Sequence, residues 1–230
     1  MAKPTAAPRQ EIALLLAFTA GYVDTLGFVG LFGLFTTHVT GNFVVMGAMI
    51  AHPRTGLIAK LLALPVFIVS VALTTLFVRR WRRAGRDPMP AVLATQGLLL
   101  AAFMAVAVAS GPLTAGDQPM AILAGELGVL AMAIQNASGR LVFSDLPPTA
   151  VMTSNVTQIV IDAVDLLEGA GVNRAVRARL LEPLWPIIAF AAGALGGGLS
   201  FAAVGFWGLV APIIAVLAVI PLLPKVHVAG

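Results

Sequence analysis

The sequence predicts an all-α, polytopic membrane helix bundle, and three observations predict it. Of 230 residues, 59% are hydrophobic and 10% are charged, where a soluble domain carries roughly 25% charged residues. The mean hydropathy is +0.98. The apolar residues gather into runs close to the ~20 residues a helix needs to cross a bilayer, and the basic residues sit in short clusters between them. A soluble fold could not cover so much apolar surface with so few charges. Lipid as the outer solvent removes that problem, and the length suits one transmembrane domain over 1–230.

Six segments reach spanning length: about 11–33, 57–79, 90–110, 119–139, 184–204 and 206–224. The first follows Lys3 and Arg9, a charge pattern shared with secretory signals. Its apolar run is long, carries Gly21, Tyr22 and Asp24, and meets no clear small-residue cleavage site, so it reads as a retained span. Two further segments, about 40–51 and 150–167, are short or polar. The first opens with Thr37-His38-Val39-Thr40-Gly41-Asn42 and stops near Pro53; the second ends in Asp162, Asp165 and Glu168. A helix of about 12 residues rises ~18 Å, too little for ~30 Å of hydrocarbon.

Charge settles how these two are read. If both crossed, with the amino terminus inside, the cluster Arg79-Arg80-Trp81-Arg82-Arg83 would lie outside, against the positive-inside rule. If neither crosses, Lys3, Arg9, Arg79, Arg80, Arg82, Arg83, Arg86, Arg140, Arg174, Arg177, Arg179 and Lys225 are cytoplasmic, and only Arg54 and Lys60 are outside. The expectation is six spanning helices plus two short non-crossing helices, in the plasma (cytoplasmic) membrane, with both termini cytoplasmic.

The halves resemble one another. Gly21-Tyr22-Val23-Asp24-Thr25-Leu26-Gly27 aligns with Ala133-Ile134-Gln135-Asn136-Ala137-Ser138-Gly139, and Val39-Thr40-Gly41-Asn42 with Met152-Thr153-Ser154-Asn155. Asp24 precedes Thr40 by 16 residues and Asn136 precedes Thr153 by 17, so one insertion suffices. Each half, about 11–110 and 119–224, then has three crossings and one short helix. An odd number of crossings inverts the second half, giving the inverted 3+3 repeat of many transporters, whose sites lie near the midplane.

The polar residues in these motifs are the candidate site. Asp24 lies inside the first span, where a carboxylate costs ~2.5–3.5 kcal/mol and should face the bundle or a cavity. It reads either as a solute or proton contact or as a structural cap. Thr40, Gly41 and Asn42 open one short helix, and Thr153, Ser154 and Asn155 open the other. Thr and Asn cap helix amino ends, so capping explains them alone. The inverted repeat adds that both amino ends would meet near the midplane, where free N–H groups and positive dipoles suit a polar or anionic solute. His38 is either a proton relay or a headgroup-level histidine. Gln135 and Asn136 either contact solute or bond between helices. Glu126 is placed either to line the outer vestibule or to pair with Lys60. Gly193 and Gly197 form a G-x-x-x-G edge for close helix contact, within the fold or in a homo-oligomer. Residues 172–181 read as a basic amphipathic helix on the inner leaflet.

The run Ala20-Gly21-Tyr22-Val23-Asp24, then Gly27-Phe28, Phe35 and His38-Val39-Thr40-Gly41-Asn42, with Ala133-Ile134-Gln135-Asn136-Ala137 and Thr153-Ser154-Asn155 in the second half, resembles the YoaK family of integral membrane proteins. The resemblance covers nearly the whole chain, although Ser154 stands where a glycine is common. It implies a multi-span membrane protein, loosely described as permease-like, with no established substrate.

Composition also narrows the chemistry. With no cysteine, disulfide, thiol and cysteine–metal chemistry are excluded. The pI of about 10.3 reflects basic loops rather than a nucleic-acid groove. His38, His52 and His227 share no ligand spacing, so neither metal nor cofactor is expected. No G-x-S-x-G and no H-E-x-x-H appears, and an enzyme is not expected. The favoured reading is a small-solute permease or channel, with Asn42 and Asn155 facing each other across a wet cavity. The alternative is a non-transporting scaffold or regulatory partner, with the short helices packed dry.

Overall fold

The computed structural model describes residues 6–143, 152–167 and 183–223. Eight α-helices lie among the described residues, with no strand: α1 (Ala6–Gly30), α2 (Gly41–Ala51), α3 (Leu57–Arg83), α4 (Met89–Ala109), α5 (Pro119–Leu141), α6 (Met152–Leu167), α7 (Leu184–Val204) and α8 (Val210–Val219). Two 3-10 segments, Gly205–Leu209 and Ile220–Leu222, flank α8. The basic helix expected over 172–181 lies outside the described residues.

Five apolar stretches are long enough to cross a bilayer: Gln10–Gly30, Leu57–Arg83, Met89–Ala109, Pro119–Leu141 and Leu184–Leu222. The last has 39 residues and is interrupted at Gly205, whose φ is +60°. α1 and α5 are the most buried of these stretches and form the centre. Outward faces carry large apolar side chains: Leu195 and Leu199 on α7 are 71% and 73% exposed, as lipid-facing side chains would be. The core gathers Leu16, Val23, Leu26, Leu93, Leu100, Phe103, Val129 and Met132 between these helices.

Helix directions follow from the contacts. α1 and α7 run parallel, with Gly193 against the Phe18 carbonyl and Gly197 against that of Tyr22. Gly21 in turn meets the Phe190 carbonyl. A Cβ at any of the three would strike backbone, so these glycines set the approach of the two helices. Gly193 and Gly197 are buried, and their edge is occupied within the chain. Of the two contacts the spacing allowed, within the fold or in a homo-oligomer, the side of this edge that meets α1 makes the one within the fold.

α3 and α5 are likewise parallel. The Asp117 carboxylate, just ahead of α5, accepts the Gly56 and Ile58 N–H groups at 2.8 and 3.1 Å, and Ser70 Oγ donates to the Leu130 carbonyl. α1 and α5 are antiparallel, since Gly125 packs on Leu34 and Gln135 reaches Leu16. The bundle thus has two ends. One carries Gly30, Gly56, Asp117 and Gly205; the other carries the Arg79–Arg86 loop and Arg140.

The packing partners are related by exchange of the halves. α1 packs on α7 as α5 packs on α3; α5 packs on α4 as α1 packs on α8; α2 packs on α3 as α6 packs on α7. The remaining pairs, α1 with α5 and α4 with α8, map onto themselves.

Candidate functional site: a cavity between two short helices

After α1 the chain folds back on itself. Phe32 and Gly33 both have positive φ, 56° and 83°. Phe32 is not glycine, and that conformation costs ~1–3 kcal/mol. Its carbonyl is taken by the buried ammonium of Lys60, 2.8 Å away, which also reaches the Gly56 carbonyl at 3.1 Å. The segment then returns along α1: Thr37 Oγ1 donates to the Ala20 carbonyl. Ala20 lies ten residues before the end of α1, about 15 Å at 1.5 Å per residue. α2 starts at that depth and climbs back to the end it came from, so residues 31–51 form a hairpin beside α1.

Asp24 holds this hairpin. One carboxylate oxygen accepts the backbone N–H groups of Thr36 at 2.9 Å, Thr37 at 2.7 Å and His38 at 3.4 Å. The other lies 2.7 Å from His38 Nδ1, within hydrogen-bond distance. Asp24 is buried and His38 is not, so the carboxylate sits behind the imidazole. The ring of His38 meets Phe190 edge-on at 5.6 Å.

Asn42 is the second clasp. Its amide oxygen accepts the Phe35 N–H and its amide nitrogen donates to the Phe35 carbonyl, both at 2.9 Å. With both ends committed and 1% exposure, it faces no cavity. Gly41 packs under the Phe35 ring, where a Cβ would come within 2.9 Å. Thr40 makes no side-chain cap. The first N–H groups of α2 are already bonded: Gly41 to the His38 carbonyl, Asn42 to that of Val39 and Phe43 to that of Thr40, at 2.7, 3.1 and 3.2 Å. The expectation of free N–H groups at this amino end is therefore corrected. The tight turn entering the helix consumes them.

A cavity of about 250 Å³ lies where the two short helices begin. Thr37, His38, Val39 and Thr40 line it from the first half and Asn136, Met152 and Thr153 from the second, with Leu64 and Phe67 of α3 completing the wall. Pro65 stands between those two α3 residues and deletes one helical hydrogen bond there. Of the ten residues singled out from sequence, His38, Thr40, Asn136 and Thr153 line the cavity, and Asp24 backs His38. Asn136 Nδ2 donates to the Met132 carbonyl, which orients the amide on α5.

The other candidates lie elsewhere. Gln135 is buried glue: its Nε2 donates to the Leu16 carbonyl at 2.8 Å, and its Oε1 accepts from Gln96 Nε2 at 2.7 Å. It joins α1, α4 and α5. Ser154 and Asn155 sit in the first turn of α6, Ser154 exposed and Asn155 buried; neither is on the cavity wall. Thr40 and Thr153 both line this cavity, whereas Asn42 and Asn155, expected to face each other across it, are not on its wall. Glu126 does not pair with Lys60, whose ammonium is on backbone carbonyls; both Glu126 carboxyl oxygens are buried without a hydrogen-bond partner among the described residues. Sequence reasoning missed Thr37, Val39, Leu64, Phe67 and Met152. The proline between Leu64 and Phe67 was the available signal.

A family model described as "Protein of unknown function (DUF1275)" matches residues 12–222. The chain belongs to this family. It is also 36% identical over 100 residues to the UPF0700 transmembrane protein YoaK of Bacillus subtilis (strain 168), a match covering 43% of each chain, so less than half of that relative's length is spanned. No solved structure matches.

Proposed function

We propose that this member of a family of unknown function is a small-solute permease or channel, and that the cavity between α2 and α6 is its solute site. The observation that carries the reading is the composition of the cavity wall. Residues 37–40 of the first half and, from two helices of the second half, Asn136 and Thr153 bring three hydroxyls, an imidazole and an amide to one space in an apolar bundle. Non-helical backbone at membrane depth is tolerated where it is buried or lines a cavity, and the 31–40 segment satisfies that condition through Asp24 and Asn42. Hydroxyls, an amide and one imidazole suit a small polar solute.

The proposal includes six crossings and an inverted repeat. The stretch of 39 residues from Leu184 to Leu222 would be ~58 Å as one helix, nearly twice the hydrocarbon thickness, and its break at Gly205 suits two crossings. Exchange of the halves returns the same set of helix pairs, which supports the repeat independently of the motif alignment. The Arg79–Arg86 loop and Arg140 share one end, opposite Arg54 and Lys60, which supports cytoplasmic termini.

The test uses the chain's natural lack of cysteine. Thr40→Cys and Thr153→Cys are probed in intact cells with small water-soluble thiol reagents, with Arg54→Cys and Arg83→Cys as controls. Labelling at both threonine positions, at Arg54→Cys but not at Arg83→Cys, is the expected result. Inert threonine positions beside well-behaved controls would overturn the permease and leave a dry-packed scaffold. External labelling of Arg83→Cys would overturn the topology and the repeat with it.

A further inference from the structure

A second cavity, of about 270 Å³, opens on the outside of the bundle. α3 and α4 both pack on α5 but hardly on each other, and the slot is the gap between them. Phe77, Val92 and Ile134 wall it toward the arginine-rich end, and Ser70, Leu99 and Leu130 wall its deeper part. The hydroxyls along it are spent: Ser70 Oγ donates to the Leu130 carbonyl, Thr74 Oγ1 to that of Ser70 and Thr95 Oγ1 to that of Ala91. What remains for an occupant is methyl, methylene and ring surface, which selects a hydrocarbon chain over a polar solute.

The mouth of the slot has the opposite character. Phe77 stacks on Trp81 at 4.7 Å, and the Arg86 guanidinium lies 5.9 Å from the Trp81 ring centre. Apolar wall, interfacial aromatic and cation thus follow one another without a gap. Arg79, Arg80, Arg82, Arg83 and, from α5, Arg140 are exposed around them, and none is in an ion pair among the described residues. The one acid in that loop, Asp87, has a carboxyl oxygen on the Met89 N–H. From Trp81 to Ser70 is eleven residues, about 16 Å along the helix, close to the ~15 Å of one leaflet.

We propose that this slot is a binding site for an anionic phospholipid of the leaflet on the Arg79–Arg86 side, one acyl chain lying between α3 and α4 and the headgroup held by Arg86 and its neighbours. Charge complementarity selects the headgroup and the spent hydroxyls select the chain. The site is distinct from the α2–α6 cavity and does not depend on transport.

Trp81 is its reporter. Protein carrying Trp185→Phe and Trp207→Phe is placed in phosphatidylcholine vesicles containing a small fraction of either phosphatidylglycerol or phosphatidylcholine brominated on the acyl chain. Brominated phosphatidylglycerol should quench Trp81 several-fold more than the same mole fraction of brominated phosphatidylcholine. Arg86→Gln should lower that preference by about fivefold, the effect of one basic residue on an anionic surface. Thr95→Phe, which fills the slot and leaves the arginines intact, should abolish the excess quenching. Equal quenching by the two lipids overturns the proposal, and so does a preference that survives Thr95→Phe, which would be surface attraction alone. Unsubstituted protein gives a second readout if the tryptophan variant does not fold: native mass spectrometry after detergent delipidation should retain about one phosphatidylglycerol per chain, and Arg86→Gln should retain several-fold less. Retention of none, or of phosphatidylcholine equally, refutes the site.

Discussion

Removing the Asp24 carboxylate should loosen the whole hairpin of residues 31–51. In Asp24→Ala the N–H groups of Thr36 and Thr37 lose an acceptor at 2.9 and 2.7 Å. Both residues are buried. A buried donor left unsatisfied costs about 1–3 kcal/mol, so the pair costs about 2–6 kcal/mol, with nothing added for the longer His38 bond. Total stabilities are ~5–15 kcal/mol, so this is a large share. For a chain of this size about 1 kcal/mol moves the unfolding midpoint by ~2–4 °C, giving a loss of about 4–24 °C. Asp24→Asn keeps one oxygen for the same N–H groups and gives up the charge assistance, which roughly halves the strength of each bond. Its loss should fall near half that of alanine. The assay is apparent thermal unfolding in one detergent at one scan rate, because membrane proteins commonly unfold irreversibly. An Asp24→Ala midpoint within ~2 °C of wild type on the scale used here, or an alanine variant no worse than asparagine, would refute the claim that this carboxylate holds the 31–40 segment.

Three further outcomes follow from the packing. Gly197→Leu should destabilise by about 1–3 kcal/mol or more, because its Cβ strikes the Tyr22 carbonyl, while Gly198→Ala, whose Cβ would meet the Thr25 methyl at an ordinary 3.5 Å, should stay within ~0.5 kcal/mol; the same unfolding assay separates them. Gln96→Leu and Gln135→Leu should show a coupling of about 0.6–2 kcal/mol in a double-mutant cycle, and additive losses would mean their 2.7 Å bond contributes nothing. The N–H groups of Gly56 and Ile58 hold the Asp117 carboxyl below its ordinary range. A depressed folded-state pKa adds stability that is complete above the unfolded value and disappears as pH falls through the folded one. The unfolding midpoint should therefore carry an Asp117 contribution that is flat near neutrality and lost below the usual carboxylate range, and Asp117→Asn should remove it.

The membrane bundle and its element order were legible because lipid imposes them: spanning length, charge-poor runs and basic clusters are direct consequences of the bilayer as solvent. Four candidate residues line the cavity for a related reason. Polar residues at membrane depth must find either a cavity or a backbone partner. Composition could not say which. Asn42 and Asn136 are both asparagines in repeat motifs, yet Asn42 clasps Phe35 and Asn136 lines the cavity. The difference lies in the Phe32–Gly33 reversal, which brings Phe35 back to Asn42 and is fixed by an ammonium twenty-eight residues away. Gln135 was ambiguous in the same way until Gln96, from another helix, was seen to bond it. Such pairings depend on helix rotation, which a hydrophobic run on all sides of a helix leaves unspecified.

The two halves have divided their polar residues between holding the hairpin and facing the cavity. In the first half Asp24 and Asn42 are consumed by backbone groups, and what reaches the cavity is the short stretch they hold, Thr37 to Thr40. At the position that the motif alignment pairs with Asp24, the second half has an amide, Asn136, and that side chain lines the wall itself. A carboxylate accepts several N–H groups at once and can organise an irregular segment. An amide has both a donor and an acceptor and, on a helix face, can offer them to a solute. Under the permease reading, the first half therefore supplies a rigid wall carrying an imidazole whose orientation Asp24 sets, and the second supplies the adaptable contact. Exchange of Asp24 and Asn136 would not be neutral, because the N–H groups of Thr36, Thr37 and His38 take their acceptor from Asp24, and an amide oxygen there would lack the charge that strengthens each bond.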